Sequence, residues 1–280
     1  MSELFVNGRR YAIDGILFDK DGTLLDFVSM WGSWGDRMLD GFRSRLASLG
    51  LRPAPLDPSL WGTLHAGDGG IYDYDRNGPL AMGTLAELFT LLTWQGYRAG
   101  LSWAKAKEVV ELCRIAADEE LDRGRPVLPM PGVAAFLEAC GERQIPLGVV
   151  TADDTAAAEK HLEWLGIRRY FAVVIGNDLV ARGKPFPDML ELACRKLSLR
   201  VERTVVIGDT NGDMRMGKAA GAGLCIGLAS QPPERGEPAE LFPDADVLVE
   251  SYSSLTLRRG SGAGLEHLEN SFGGEGEVQR

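Results

Sequence analysis

The stretch that most constrains the fold is Ile13 to Thr23, where the apolar run Ile16-Leu17-Phe18 passes straight into Asp19, Lys20, Asp21, Gly22 and Thr23. A run that is apolar on both faces reads as a strand buried in a parallel sheet, with helices above and below it. Sheets of that kind present their chemistry at the carboxyl ends of their strands. Asp19 falls at that end and Asp21 lies just past it, while Gly22 allows a tight turn or a close backbone approach to a bound group. Two carboxylates so near each other repel unless they share a proton or a hard cation such as Mg2+ lies between them. An Asp-Gly turn after a strand is also common in α/β proteins, so this stretch alone leaves a plain turn open.

The same grammar returns after residue 128. Pro131 suits the first turn of a helix from Gly132 to Arg143, and Ile145 to Val150 is the next buried strand, ending at Thr151-Ala152-Asp153-Asp154. Either aspartate can cap the helix that follows, which runs to Leu165 and stops at Gly166. A third strand, Phe171 to Ile175, leads to Gly176-Asn177-Asp178 and then to Gly183-Lys184-Pro185-Phe186-Pro187-Asp188. A helix from Asp188 to Leu197 precedes strand Thr204 to Ile207, which ends in Gly208-Asp209-Thr210-Asn211-Gly212-Asp213. A short helix closing at Gly221, strand Leu224 to Ile226 and a last strand Ala245 to Val249 complete the series. Repeated strand, crossover and strand predict an α/β fold with a right-handed, doubly wound parallel sheet.

Residues 28 to 128 break the alternation just after the first strand. They lack long β-branched runs and read as helices over Trp34 to Leu49, Leu80 to Trp94 and Ser102 to Leu121, with ends at Gly50 and Gly96 and an N-cap at Ser102. Their place in the chain predicts an inserted, mostly α-helical cap domain over 29–127, set above the edge where Asp19 lies. The core is then discontinuous, 1–28 and 128–252. Trp31, Trp34, Trp61, Trp94 and Trp103 all fall in this insert, where such residues mostly pack helices together. Ahead of the core, Leu4 to Ile13 carries a hairpin signal around Asn7-Gly8. Residues 253–280, rich in Gly, Ser and Glu, read as a flexible tail.

A chain of 280 residues can bury a sizeable core in one domain or two, and 45% apolar with 25% charged residues suits a soluble globular protein. The formal net charge of -10 argues against a nucleic-acid partner, which would need a clustered basic face. It permits a small phosphorylated metabolite, because a few placed cations and a metal invert the local field. Cys113, Cys140, Cys194 and Cys225 show neither zinc-site spacing nor the density of a disulfide scaffold, and read as reduced core residues. Met1 to Arg10 has no apolar signal core and no run is long enough to span a bilayer, so no membrane partner is expected and the cytoplasm is the expected location.

Four predicted strand ends thus carry Asp19 and Asp21, then Thr151, then the Lys184 loop, then Asp209 and Asp213. This set, in this order, resembles the haloacid dehalogenase superfamily. That family has Asp-x-Asp-Gly-Thr after a buried strand, a strand ending in Thr or Ser, a Lys, and Gly-Asp-x-x-x-Asp or a close variant. The matching pieces here are Phe18-Asp19-Lys20-Asp21-Gly22-Thr23-Leu24, Val149-Val150-Thr151, Gly183-Lys184-Pro185 and Gly208-Asp209-Thr210-Asn211-Gly212-Asp213. Each piece alone is explained by a turn, a surface lysine or a helix cap; four in order at strand ends are not. The resemblance covers roughly residues 12–30 and 128–250 and implies a Rossmann-like core.

The resemblance also implies roles. Asp19 is expected to be the nucleophile that forms an aspartyl phosphate, and Asp21 the general acid for the leaving alcohol and then the base for water. Thr151 would hydrogen-bond a phosphate oxygen and Lys184 offset the charge of phosphate and Asp19. Mg2+ is the expected cofactor, held by Asp19, Asp209 and the backbone carbonyl of Asp21, with Asp213 holding a metal-bound water or orienting Lys184. Asp21 argues against a dehalogenase, and Thr23 stands where phosphomutase relatives commonly carry Val. The insert resembles the cap of the phosphoglycolate-phosphatase-like branch, although phosphoserine phosphatases share its location. Candidate substrate contacts are Thr23, Trp31, Trp34, Arg37, the loop Asp73-Tyr74-Asp75-Arg76, Ala152 and Asn177, with Asp178 beside it; Lys20 is expected to face the cap or solvent. The leading expectation is a Mg2+-dependent phosphatase for a small phosphomonoester. The alternatives are a phosphomutase and a non-catalytic binding protein that has kept the fold.

Overall fold

The computed structural model describes residues 2–51, 58–67, 70–230 and 238–259. Its opening hairpin follows from local turn chemistry. β1 (Ser2–Val6) and β2 (Arg9–Ile13) pair antiparallel with Val6 opposite Arg9, and Asn7 and Gly8 between them take φ of +48° and +77°. A two-residue turn with both central φ positive matches the twist of the strands, and Asn-Gly is the pair that adopts it most readily.

β3 (Gly15–Phe18) then enters a six-stranded parallel sheet as a fully buried strand. The chain leaves the sheet for the insert, where α1 (Ser33–Ser48), a short hairpin of β4 (Thr63–His65) and β5 (Ile71–Tyr74), α2 (Pro79–Met82), α3 (Leu85–Arg98) and α4 (Trp103–Gly124) follow. It returns through α5 (Val133–Glu142), β6 (Leu147–Val150), α6 (Thr155–Trp164), β7 (Val173–Ile175) and α7 (Asp188–Leu197). Then come β8 (Thr204–Gly208), α8 (Asn211–Ala220), β9 (Leu224–Leu228), α9 (Pro238–Leu241), β10 (Val247–Val249) and β11 (Leu255–Arg259). The strand order is β10-β9-β8-β3-β6-β7, so β3 sits centrally and the chain winds outward from it on both sides. Asp19 therefore leaves the sheet at the switch point, where a crevice opens between the divergent loops.

Four apolar clusters pack the described residues, and two of them hold most of the buried side chains. One surrounds Ile16, Phe18, Phe136, Val149 and Ile207 on one face of the sheet. The other, around Trp34, Met38, Phe42, Trp61 and Leu92, belongs to the insert and to the residues just after β3. Trp34 stacks on Trp61 at 5.8 Å between ring centroids and donates its indole N–H to Asp118 at 2.9 Å. Trp94 and Trp103 lie at the surface instead, each nearly half exposed.

Three expectations need correction. The helix expected over Leu80 to Trp94 is two helices, because Gly83 and Thr84 adopt extended backbone and Thr84 begins α3 with a capping box to Glu87. Gly96 lies inside α3 rather than ending it; a Cβ there would stand 3.0 Å from the Ala106 Cβ, so the glycine lets α3 and α4 approach closely. The tail expected from residue 253 is strand from Leu255 to Arg259, paired antiparallel along β1 with Leu255 and Leu257 buried. Residues 260–280 lie outside the described residues. Among the described residues, no helix is long and apolar enough to cross a membrane.

Candidate active site

The carboxyl edge of the sheet gathers the strand ends into one cluster. The Asp19 N–H donates to the Ile207 carbonyl at 2.9 Å, which ties the end of β3 to that of β8. Lys184 reaches in from the loop before α7 and sets its ammonium 2.5 Å from Asp19 Oδ1 and 2.6 Å from Asp213 Oδ1. Asp213 is both a capping residue and a site residue. Thr210, the N-cap of α8, donates its hydroxyl to Asp213 Oδ2 at 2.6 Å, which leaves the other oxygen for Lys184. Thr151 ends β6 buried, accepting the Asp153 N–H on its hydroxyl at 3.2 Å.

Side-chain oxygens of Asp19, Asp209 and Asp213 lie within 4.8 Å of one another, all three residues buried. Burial pushes the Asp19 carboxyl well above the usual carboxylate range, against the pull of Lys184. Burial, and then the Asp213 charge, push Asp209 up to about 6. Burial alone would lower Lys184, but Asp19 and Asp213 outweigh it and raise its pKa. Three buried carboxylates against one ammonium leave a negative excess, and an all-oxygen donor set of this kind suits a hard divalent cation. The residues present therefore fit Mg2+.

The backbone is shaped to the same purpose at Gly22. Its φ is +75°, and a Cβ would stand 2.1 Å from Asp209 Oδ2 and 2.6 Å from the Tyr74 hydroxyl, so only glycine fits. Asp209 accepts from the Thr23 hydroxyl at 3.1 Å and from the Tyr74 hydroxyl at 2.7 Å. Thr23, a candidate substrate contact, thus supports Asp209 instead. Tyr74, from β5 of the insert, also serves Asp209 rather than a substrate. Arg76 is buried over the Tyr74 ring at 4.7 Å and stands 3.6 Å from Asp73. Arg37 pairs with Glu120 at 2.9 Å on the surface of the insert.

Lys20 does not face solvent; its ammonium lies 5.7 Å from the centre of the Trp31 ring, at the base of the insert. It has no exposed surface, and its ammonium lies 2.9 Å from Asp153 Oδ2, 2.9 Å from His161 Nδ1 and 3.2 Å from Asp21 Oδ2. An ammonium only donates, so Nδ1 of His161 carries the lone pair. Burial lowers Lys20 and raises Asp153, yet their mutual attraction wins on both sides: Lys20 is raised and Asp153 held well below its usual range. Trp31 donates its indole N–H to Asp21 Oδ1 at 2.8 Å. Both oxygens of Asp21 are therefore fixed, one by the core and one by the base of the insert.

Between core and insert lies a cavity lined by Asp19, Asp21, Thr151, Ala152 and Lys184 on one side and Phe27, Trp31, Leu80, Met82, Leu85 and Leu88 on the other. Trp31 and Ala152 therefore both line this cavity. Asn177 does not; it lines a neighbouring open groove with Arg182 and Phe186, while Asp178 accepts the Thr155 N–H at 2.7 Å.

A family model described as haloacid dehalogenase-like hydrolase matches residues 13–221. The chain belongs to that family. Phosphoglycolate phosphatase of Escherichia coli K12 is 36% identical over 143 residues, spanning 50% of this chain and 53% of the E. coli protein. The chain thus spans about half the length of the curated relatives it matches. Among solved structures, a predicted phosphoglycolate phosphatase from Haemophilus somnus 129PT superposes with TM-score 0.59 at 22% identity, covering 84% of this chain and 93% of that one. A β-phosphoglucomutase from Clostridium difficile also gives 0.59, at 17% identity, covering 85% and 91%. At such identities these structures establish the shared fold.

Proposed function

We propose that the protein is a Mg2+-dependent phosphatase acting on a small phosphomonoester through an aspartyl phosphate on Asp19. The observation that carries this reading is the Lys184 ammonium placed between Asp19 and Asp213, with Asp209 in the same carboxylate cluster. Asp19, Asp209 and the Asp21 backbone carbonyl would hold the metal, with Asp213 orienting Lys184. Bound Mg2+ would supply positive charge to the transferring group and hold it in line with the nucleophile.

The chain's own residues account for the rest. An Asp19 oxygen bonds to phosphorus as the bond from phosphorus to the ester oxygen breaks. Asp21, held by Lys20 and Trp31 with its carboxyl on the cavity, gives its proton to the departing oxygen. It then takes a proton from the water that attacks the aspartyl phosphate, which frees inorganic phosphate and restores Asp19. Lys184 and the Thr151 hydroxyl face the charge on the transferring group.

Purified protein should release phosphate from p-nitrophenyl phosphate only with Mg2+, and Asp19→Asn should lower kcat by about 10⁴-fold or more. Full activity in that variant would remove the assignment. Phosphoglycolate is a candidate substrate on the strength of the relatives alone. A phosphomutase is the second reading, favoured by the β-phosphoglucomutase among the fold neighbours. Following whether labelled phosphoryl ends on water or on a second sugar hydroxyl separates the two.

A further inference from the structure

The two walls of the cavity differ in kind. The core wall carries its charged groups, Asp19, Asp21, Asp153 and Lys184. The facing wall is Phe27, Trp31, Leu80, Ala81, Met82, Gly83, Leu85 and Leu88, without a charged side chain, and its one side-chain polar hydrogen, the Trp31 indole N–H, is already given to Asp21. Lys184 is the one cation among the described lining residues, and it is held by Asp19 and Asp213. Of the nearby cations, Lys20 is fully buried behind Asp21, Arg76 lies over Tyr74, and Arg182 lines the adjoining groove paired with Asp188 at 2.9 Å.

From this, and resting on the phosphatase reading, we infer that the site takes phosphomonoesters whose leaving group is uncharged and apolar next to the ester oxygen, and discriminates against those carrying a carboxylate there. With the phosphoryl group at the Asp19 carboxylate beside Lys184, the first carbons of the leaving group lie against the apolar wall. An alkyl or aryl group gains by leaving water there. A carboxylate in the same place loses its hydration, finds no uncommitted side-chain donor on that wall, and faces Asp21 and Asp153 across the cavity.

The test compares kcat/KM within matched pairs, propyl phosphate against phosphoglycolate and phenyl phosphate against 4-carboxyphenyl phosphate. In each pair the uncharged ester should be favoured by at least about tenfold, the scale of discrimination an unpaired group produces in a pocket of this type. Met82 is half-buried, lines the cavity and is unbranched, so Met82→Lys places an ammonium on the apolar wall with little change in shape. That variant should compress both ratios, and Met82→Leu should keep them. Mg2+-dependent turnover with the carboxylated ester equal or preferred overturns the leaving-group assignment and leaves the phosphatase reading standing. No Mg2+-dependent release from any of the four esters overturns both. The wild-type ratios decide the matter alone if Met82→Lys does not fold.

Discussion

The core wall and the insert wall of this site are built by different physics. On the core side each group is fixed by a partner of opposite charge or by a hydrogen bond: Lys184 between Asp19 and Asp213, Thr23 against Asp209, Lys20 against Asp153 and Asp21. On the insert side the residues are fixed by packing, as in the stack of Phe27 on Tyr74 at 3.8 Å and the cluster around Trp34 and Trp61. Charge pairs specify position narrowly because a misplaced buried ion is expensive, whereas apolar contacts tolerate exchange of one hydrophobe for another. A chemistry shared by many substrates can thus sit on a rigid wall, and the choice among substrates on one that is easily altered.

The largest effect that would break this contrast is expected at Lys20. Lys20→Met leaves Asp153 buried without its ammonium, which should destabilise the fold by about 3 kcal/mol. It also frees one oxygen of Asp21, so kcat should fall on the order of 10-fold for alkyl esters, which need a proton on the leaving oxygen, and less for p-nitrophenyl phosphate. Adding Asp153→Asn should recover much of the stability but not the rate on alkyl esters. Denaturant melts of the single variant that match wild type would show that the buried network contributes nothing to the fold.

How much of this was legible in the chain follows the same division. Asp19, Thr151, Asp209 and Asp213 stand at strand ends that local periodicity marks, and the Asn7-Gly8 turn needs only its own two residues. Lys20 was not legible, because its partners Asp153 and His161 are 133 and 141 positions away and an isolated lysine after a strand reads as solvated. β11 was hidden for the same reason. Its ladder partner is β1 at the opposite end of the chain, and only Leu255 and Leu257 signal its alternation. Tyr74 was visible as one member of a candidate loop, but its target, Asp209, could not be read from a hairpin whose register contains an irregularity at Leu64 and His65.

Tyr74 is also where the insert contributes a hydrogen bond to the core cluster, and its removal sharpens the comparison with a smaller effect. Tyr74→Phe keeps the ring on Phe27 and deletes the hydroxyl that Asp209 accepts at 2.7 Å. The expected loss is about 1.5 to 3 kcal/mol in the metal-free protein, the range for a hydrogen bond to a charged group. Mg2+ should then raise Tm more in the variant than in wild type, since the metal takes over part of the neutralisation. An unchanged metal-free Tm would mean that the Tyr74 hydroxyl contributes nothing to the joint between insert and core.

The smallest expected effect is a difference in pH dependence centred on His161, and its sign follows from the groups around the ring. His161 is 2% exposed and faces Lys20, Asp153 and Asp21. Burial first, and then the Lys20 charge, lower its pKa from the usual 6.5, with Asp153 pulling the other way. The unfolded chain therefore binds a proton near pH 6.5 that the folded chain refuses until lower pH. Stability from this group is complete above pH 6.5 and is lost as the pH falls toward the lowered value. Asp209, pushed up to about 6, contributes with the opposite sign over the same window, because a raised carboxyl loses stability as the pH rises. The wild-type curve alone thus mixes the two. The difference between wild type and His161→Leu, measured by thermal melts in EDTA from about pH 7.5 to 5, cancels Asp209 and isolates the ring. Wild type should lose ground relative to the variant as the pH falls, by roughly 2 to 4 °C for each 1 kcal/mol in a chain of this size. Parallel curves would mean that the ring takes up its proton alike in the folded and unfolded chain, and a wild type that gains ground as the pH falls would place a proton on Nδ1 in the folded state, leaving Lys20 no acceptor there.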